Sequence, residues 1–193
     1  MTNTLRIIGG EWRGRRIRFP GKGGIRPTPD RVRETLFNWL APVSQGSRCL
    51  DLFAGSGAVG LEALSRGARV AMFVDVHTPA CRLIEKNLRL CGLYEDAAVW
   101  CDDVLNVLPT LKKQGQTFDV IFLDPPYRAA LVEVALRQLG DGQLLSQSGQ
   151  VIAEHFFKRE LAARYGGLCR VRVARFGDVA LSFYRLDERE GGV

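Results

Sequence analysis

Every hydrophobic stretch in the 193-residue chain is short and broken by Arg, Asp or Gly. A membrane helix needs about 20 apolar residues in succession, and a signal peptide needs an apolar core behind a basic start. Neither pattern occurs, MTNTLRIIGG included, so a soluble cytoplasmic protein with no membrane partner is expected. Histidine is scarce. The five cysteines (Cys49, Cys81, Cys91, Cys101, Cys169) are never spaced as C-x-x-C, and only His77 and His155 could assist them. No metal site is therefore expected, and the cysteines fit a reduced cytosol. No Ser-His-Asp or Cys-His constellation competes for an active site, and His77 and His155 read as ordinary surface or satisfied residues. Internal repeats and low-complexity segments are lacking as well.

What is abundant is basic charge, and it is unevenly placed. Residues 1 to 35 hold nine basic side chains against three acidic ones, a surplus equal to the net +6 of the whole chain. The rest balances, 18 against 18. A basic arm meeting a polyanion, joined to a neutral body, is the functional form of that asymmetry; a solvated basic surface is the bland one.

Arg48 to Phe53, Val70 to Asp75, Ala98 to Cys101 and Phe118 to Asp124 read as short buried strands. Helical stretches lie between them. The clearest covers residues 78 to 92, where Ala80, Leu83, Ile84, Leu88 and Cys91 recur at helical spacing until Gly92 stops it. Such alternation predicts an α/β, mostly parallel sheet with helices on both faces. Its end changes character: residues 169–176 and 179–185 alternate around Gly177-Asp178, which suits a type II′ turn and an antiparallel hairpin. At the amino end, residues 5–10 and 15–19 predict a small basic β-hairpin, followed by a Gly-rich linker. Thr28-Pro29-Asp30 then opens a helix to about Leu40, with Val32, Leu36, Trp39 and Leu40 as its apolar stripe. The expected division is a hairpin arm and linker over 1–24, one catalytic domain over 25–186 and a frayed tail over 187–193.

The stretch DLFAGSGAVG contains Gly55-x-Gly57-x-x-Gly60, and Asp75 follows twenty positions after Gly55, as in a dinucleotide fingerprint. A glycine turn from strand to helix lets a cofactor approach the backbone. Asp51, however, would repel a pyrophosphate and attract a cation. S-adenosylmethionine, with a sulfonium and an ammonium and no phosphate, fits that charge, and Gly60 then reads as a helix-packing residue. Asp51-Leu-Phe-Ala-Gly-Ser-Gly57 resembles the first motif of class I S-adenosylmethionine-dependent methyltransferases, which implies a Rossmann-like, mostly parallel α/β sheet of seven strands ending in the antiparallel hairpin. The resemblance implies that the turn Phe53, Ala54, Gly55 to Gly57 lies along the methionine part. It likewise implies that Asp75, beside Val76, takes the ribose hydroxyls, and that Asp103 or Asp102, beside Val104, holds the adenine amino group. Helix capping is the alternative for these acids.

Asp124-Pro125-Pro126-Tyr127 follows the fourth strand directly. Two prolines stiffen the turn and remove its donors, so it projects a carboxylate, a carbonyl and a ring in fixed relation. That trio suits methylation of an exocyclic amino group on a nucleobase swung out of its helix and stacked on Tyr127. A merely rigid turn is the competing explanation. The D-P-P-Y motif serves adenine-N6 and guanine-N2 enzymes alike.

Arg6-Ile-Ile-Gly-Gly-Glu-Trp-Arg-Gly-Arg-Arg16 and Arg26-Pro-Thr-Pro-Asp-Arg-Val-Arg-Glu-Thr-Leu-Phe-Asn38 closely resemble the RsmD family, bacterial enzymes that methylate guanine N2 in 16S ribosomal RNA. The resemblance extends to Arg185. It implies 16S rRNA in the small ribosomal subunit or its assembly intermediates as partner. It departs at Asp75, where the family carries a longer Glu, and at His77, where it carries an acid; a longer or water-mediated ribose contact follows. Arg13, Arg15, Arg16, Arg18 and Lys22 are then expected to grip phosphates, with Arg26 and Thr28 bordering the target pocket and Arg31 as a further RNA contact. An adenine-N6 methyltransferase and a non-catalytic ribosome-assembly factor are the alternatives.

Overall fold

The body of the chain alternates buried strands with helices that have one apolar stripe, so each helix must return its stripe to the sheet. A computed structural model describes residues 3–19, 30–126 and 130–187. It contains β1 (Asn3–Arg6), β2 (Arg16–Phe19), α1 (Asp30–Ser44), β3 (Arg48–Leu52), α2 (Ala58–Ser65), β4 (Val70–Val74), α3 (Thr78–Cys91) and β5 (Ala97–Trp100). α4 (Val104–Lys113), β6 (Phe118–Leu123), α5 (Leu131–Leu139), β7 (Leu145–Phe156), β8 (Arg164–Tyr165), β9 (Leu168–Phe176) and β10 (Val179–Leu186) complete it.

The main sheet runs β5-β4-β3-β6-β7-β10-β9-β8. β5 through β7 pair in parallel and β10, β9 and β8 antiparallel. Eight strands stand where seven were expected. The additional one is the two-residue β8, which Gly166-Gly167 folds back against Leu168 and Cys169. So short a strand carries no alternating pattern that could announce it. The β9–β10 hairpin forms around Gly177 at φ 62°. Asp178 keeps a negative φ, the sign pattern of the II′ turn.

The sheet has a core on each face. α1, α2 and α3 pack Leu36, Leu61, Leu64, Ile84 and Leu88 over Phe73, Phe122, Ile152 and Phe183. α4 and α5 pack Leu108, Leu111, Leu136 and Leu139 over Leu50, Ile121, Val151 and Tyr184. Among the described residues no helix is long and apolar enough to cross a membrane.

β1 and β2 form a separate ribbon in which Leu5 pairs with Ile17, Thr4 with Arg18 and Arg6 with Arg16. Ile7 and Ile17 are buried against the body, whereas Arg6, Arg16 and Arg18 point outward. Buried polar groups fasten this ribbon. Glu62 of α2 accepts the backbone N–H groups of Ile8 and Gly9 at 2.8 and 2.7 Å and pairs with Arg66 and Arg33. Arg33 is fully buried and donates to the Arg6 carbonyl. Asn87 of α3, also fully buried, accepts from the Arg18 N–H and donates to the Arg18 carbonyl and to that of Ser56. One amide thus joins the basic ribbon to the glycine turn.

Candidate active site

At the carboxyl edge, Leu52 pairs with Val74 on one side and Leu123 on the other. The next residues, Asp75, Phe53 and Asp124, therefore lie in one row across β4, β3 and β6. Adjacent strands are about 4.8 Å apart, so the Cα atoms of Asp75 and Asp124 stand on the order of 10 Å from each other with the turn between them.

That turn is wound tightly. Phe53 has φ 62°, the one positive φ of a non-glycine residue among the described residues, and Gly55 and Gly57 follow at 56° and 76°. A side-chain residue held in the left-handed region stores strain of order 1–3 kcal/mol, which the surrounding contacts must over-determine. Ala54 N–H donates to the Val74 carbonyl at 3.0 Å and Gly57 N–H to the Ala54 carbonyl at 2.7 Å. A Cβ on Gly57 would press on Ile84 and Phe73 at 3.2 to 3.3 Å, and one on Gly60 would stand 2.3 Å from Phe73. Gly60 thus lets α2 lie against β4.

Asp51 is only 2% exposed, and its Oδ2 accepts the Gly60 N–H at 2.9 Å. Its carboxylate is turned beneath the turn and fixes the start of α2 from inside. Burial pushes its pKa up to about 8, with Asp75 adding to the rise and the Gly60 hydrogen bond opposing it. Asp75, 9% exposed, accepts the Gly55 N–H on Oδ2 and the His77 N–H on Oδ1, both at 2.8 Å. Each oxygen keeps a second lone pair for a ligand hydroxyl. Beside it Val76 is 56% exposed and offers an apolar surface. Asp103 caps α4, accepting from Leu105 N–H at 2.8 Å, while Asp102 accepts from the Asp103 N–H and the Asn106 amide. Both are exposed and Val104 is buried.

Asp124 is half-buried and its N–H donates to the Leu52 carbonyl at 3.4 Å. Pro125 is buried and Pro126 exposed; Tyr127 lies outside the described residues. A small cleft beside them is lined by Val132, Glu154, His155, Phe156 and Arg159. Glu154 and His155 were not anticipated as part of this edge. The available signal was two polar residues interrupting the apolar end of Val151-Ile-Ala-Glu-His155. His155 is buried, its Nδ1 lies 3.1 Å from the Phe156 carbonyl and its Nε2 2.9 Å from Ser182 Oγ. Burial holds the imidazole below its ordinary pKa, and a carbonyl can only accept, so the ring is neutral with its proton on Nδ1. His155 is thus a satisfied core residue.

A second, larger cleft of about 390 Å³ lies at the opposite, amino edge, between Trp12, Leu64, Ala68, Leu93 and Asp96. It touches none of Asp51, Asp75, Asp102, Asp103 and Asp124. Of the predicted RNA contacts, Arg13, Arg15, Arg16 and Arg18 are exposed on the ribbon, with Arg15 Nη1 also donating to the Cys91 carbonyl at 3.1 Å. Lys22, Arg26 and Thr28 lie outside the described residues, and Arg31 falls in the first turn of α1. Among the described residues no group of three or more His, Cys, Asp or Glu side chains could hold a metal ion.

The family model "Conserved hypothetical protein 95" matches residues 5–185. Ribosomal RNA small subunit methyltransferase D of Escherichia coli K12 is 41% identical over 188 residues, covering 96% of this chain and 90% of that protein. The solved structure of E. coli yhhF superposes with TM-score 0.84 at 36% identity, covering 96% of this chain and 99% of that one. The fold alone extends to SMU.776, solved with SAH: 15% identity, TM-score 0.75, 96% of this chain and 56% of that one. From the ribbon to the last strand, the chain belongs to the RsmD family of methyltransferases, and its fold is that of S-adenosylmethionine-dependent methyltransferases.

Proposed function

We propose that the chain transfers a methyl group from S-adenosylmethionine to the exocyclic N2 amino group of a guanine in 16S rRNA of the small ribosomal subunit. The observation that carries this reading is the row Asp75, Phe53, Asp124, which sets the Asp-Pro-Pro turn one strand away from a strained glycine turn. The residues fit the cofactor. Backbone at positive φ with no room for a side chain at Gly57 suits close approach, Asp75 has lone pairs to spare, and Val76 offers an adenine face. Bound there, S-adenosylmethionine supplies an electrophilic methyl group.

The chain's own residues prepare the nucleophile. An exocyclic amino nitrogen is poor because its lone pair is delocalised into the base. With the Asp124 carboxylate and the Pro125 carbonyl accepting its two N–H groups, that lone pair is localised and aimed. The nitrogen loses its proton only as the N–C bond forms, so Asp124 or a water can receive it without a raised pKa. Tyr127 stacks on the extruded base. Asp103 or Asp102 meets the adenine amino group.

The guanine rather than adenine assignment rests on the amino-terminal resemblance to RsmD enzymes, and the rRNA assignment on the name of the E. coli relative. The outward row Arg6–Arg16 adds a physical argument: like charges directly opposite on a ribbon destabilise it unless an anion lies across them. The site of action is then the cytoplasm, on the small subunit or its assembly intermediates. Labelled methyl transfer to small-subunit particles, naked 16S RNA and DNA, followed by nucleoside identification, tests the reading. N2-methylguanosine is expected, and N6-methyladenosine would overturn the base assignment. Asp124→Ala should abolish transfer while retaining RNA affinity; an active variant would remove Asp124 from the mechanism.

A further inference from the structure

Beyond the Asp-Pro-Pro turn, an aromatic and basic strip leads away from the small cleft beside Pro125 and Pro126, on the side opposite the cofactor turn. On the proposed reading this target cleft borders the target base. Phe156 lines the cleft with Pro126 and is 37% exposed. Its ring stands 5.2 Å from that of Phe157, whose face is covered by the Arg175 guanidinium at 3.6 Å and approached by Lys158 at 5.8 Å. Arg175 Nε donates to the Gly177 carbonyl at 3.0 Å, so the guanidinium is held flat. His155 pairs with Ala180 and Ala180 with Arg175, placing Arg175 on the face of His155, two strands or about 10 Å away; Phe156 alternates to the opposite face, and Phe157, at the strand end, links it to Arg175.

The charge of this region is hidden in the overall balance of residues 36 to 193. Residues 156 to 178 contain six basic side chains and two acidic ones. Arg159 and Arg164 are neutralised by Glu133 and Asp187. Neither Lys158 nor Arg175 has an ion-pair partner among the described residues. Cations along an unpaired strand edge can serve only to block edge-to-edge pairing, and the outer edge of β9, whose inner edge pairs with β10, has no strand partner among the described residues beyond Arg170. Edge protection does not require a guanidinium stacked on an aromatic ring, nor a run of rings reaching the target cleft. Single-stranded RNA requires both: π-faces for bases and cations for phosphates.

We propose that Phe156, Phe157, Lys158 and Arg175 form a second RNA-binding surface, which takes the unpaired nucleotides next to the flipped base while the β1–β2 ribbon holds the flanking helix. This rests on the rRNA methyltransferase reading and adds a surface to it. The probes are naked 16S RNA and intact small-subunit particles, with binding measured across salt for wild type, Arg175→Gln/Lys158→Gln and Phe156→Ser. The double variant should make the log–log salt slope shallower by about 1.4, the share of two single-strand phosphate contacts. Phe156→Ser should weaken naked RNA binding roughly 5- to 100-fold, the loss of one stacked base. Cofactor affinity should be unaltered in both, and both should melt above the assay temperature, Phe156→Ser somewhat below wild type because its ring is partly buried. RNA affinity and slope equal to wild type in both variants would overturn the proposal. So would a loss seen with particles and not with naked RNA, which would assign the strip to a ribosomal protein. A wild type that methylates no RNA, but whose RNA affinity falls on these substitutions, would refute the catalytic reading and support this one.

Discussion

Asp51 is a buried carboxyl whose surroundings resist its ionisation. Its pKa is raised from 3.8 to about 8 by burial, so between those values the folded chain keeps a proton that the unfolded chain has released. The sign follows from linkage: stability of the unliganded protein falls as pH rises from about 4 to about 8 and levels off above. A bound cation favours the carboxylate, so cofactor binding near neutrality should expel the proton, and affinity should rise with pH until about 8. Calorimetry at pH 7 in buffers of different ionisation enthalpy should register a release approaching one proton for wild type and none for Asp51→Asn, which keeps an acceptor for Gly60. Identical heats in all buffers would disprove the assignment. The sequence made the charge of Asp51 legible and not its direction, because a carboxylate at a strand end can face the ligand or the backbone. Phe53 was legible as a turn residue and its left-handed φ was not: glycine advertises that conformation, whereas a phenylalanine is forced into it by neighbours on β4 and β6. Arg33, Glu62 and Asn87 were invisible as interior residues for a related reason. Charged and amide side chains on helices are assigned to solvent by default, and only the docked ribbon supplies the backbone groups that let them be buried.

Elements with strong periodic signals were readable. β3, β4 and β6 are short apolar runs because both faces are covered, β5 is an apolar run half-buried at the sheet edge, and α3 ends at Gly92, which sits at φ 71°. The hairpin of β9 and β10 follows from its turn residues. Less of α5 and β7 could be separated from their flanks, since residues 131 to 139 and 145 to 156 differ mainly in what they pack against. The α2–β4 contact offers a sharp element-scale test. Gly60→Ala places a methyl group 2.3 Å from the Phe73 ring, too close for either element to stay in place. Overpacking of this kind costs about 1–3 kcal/mol, or roughly 2–12 °C in melting temperature for a chain of this size. Phe73→Leu in the same chain opens that space, so the double variant should lose less than the sum of the two single changes. Additive losses in thermal melts would show that Gly60 is not a packing residue.

The whole molecule is divided by charge, with a surplus of +6 in residues 1 to 35 and a balanced remainder; on the proposed reading the body positions the cofactor and the target base, and the ribbon supplies most of the cations. Arg13, Arg15, Arg16, Arg18 and Lys22 making five phosphate contacts would give a slope of log affinity against log salt of roughly −3.5 to −4.5. Because Arg16 stands directly opposite Arg6, the same charges oppose the fold in the absence of RNA. Arg16→Gln/Arg18→Gln should therefore act in opposite directions on two measurements. The salt slope should become shallower by about 1.4–1.8, two contacts' worth, as read by titrations from low to high salt. Thermal stability of the free protein should hold or rise by a few tenths of a kcal/mol, since the opposed Arg pair is relieved and the buried face, with Leu5, Ile7 and Ile17, is untouched. A fall in both would mean that the two arginines are structural rather than RNA contacts, because a residue that serves only the bound state has nothing to contribute to the free one.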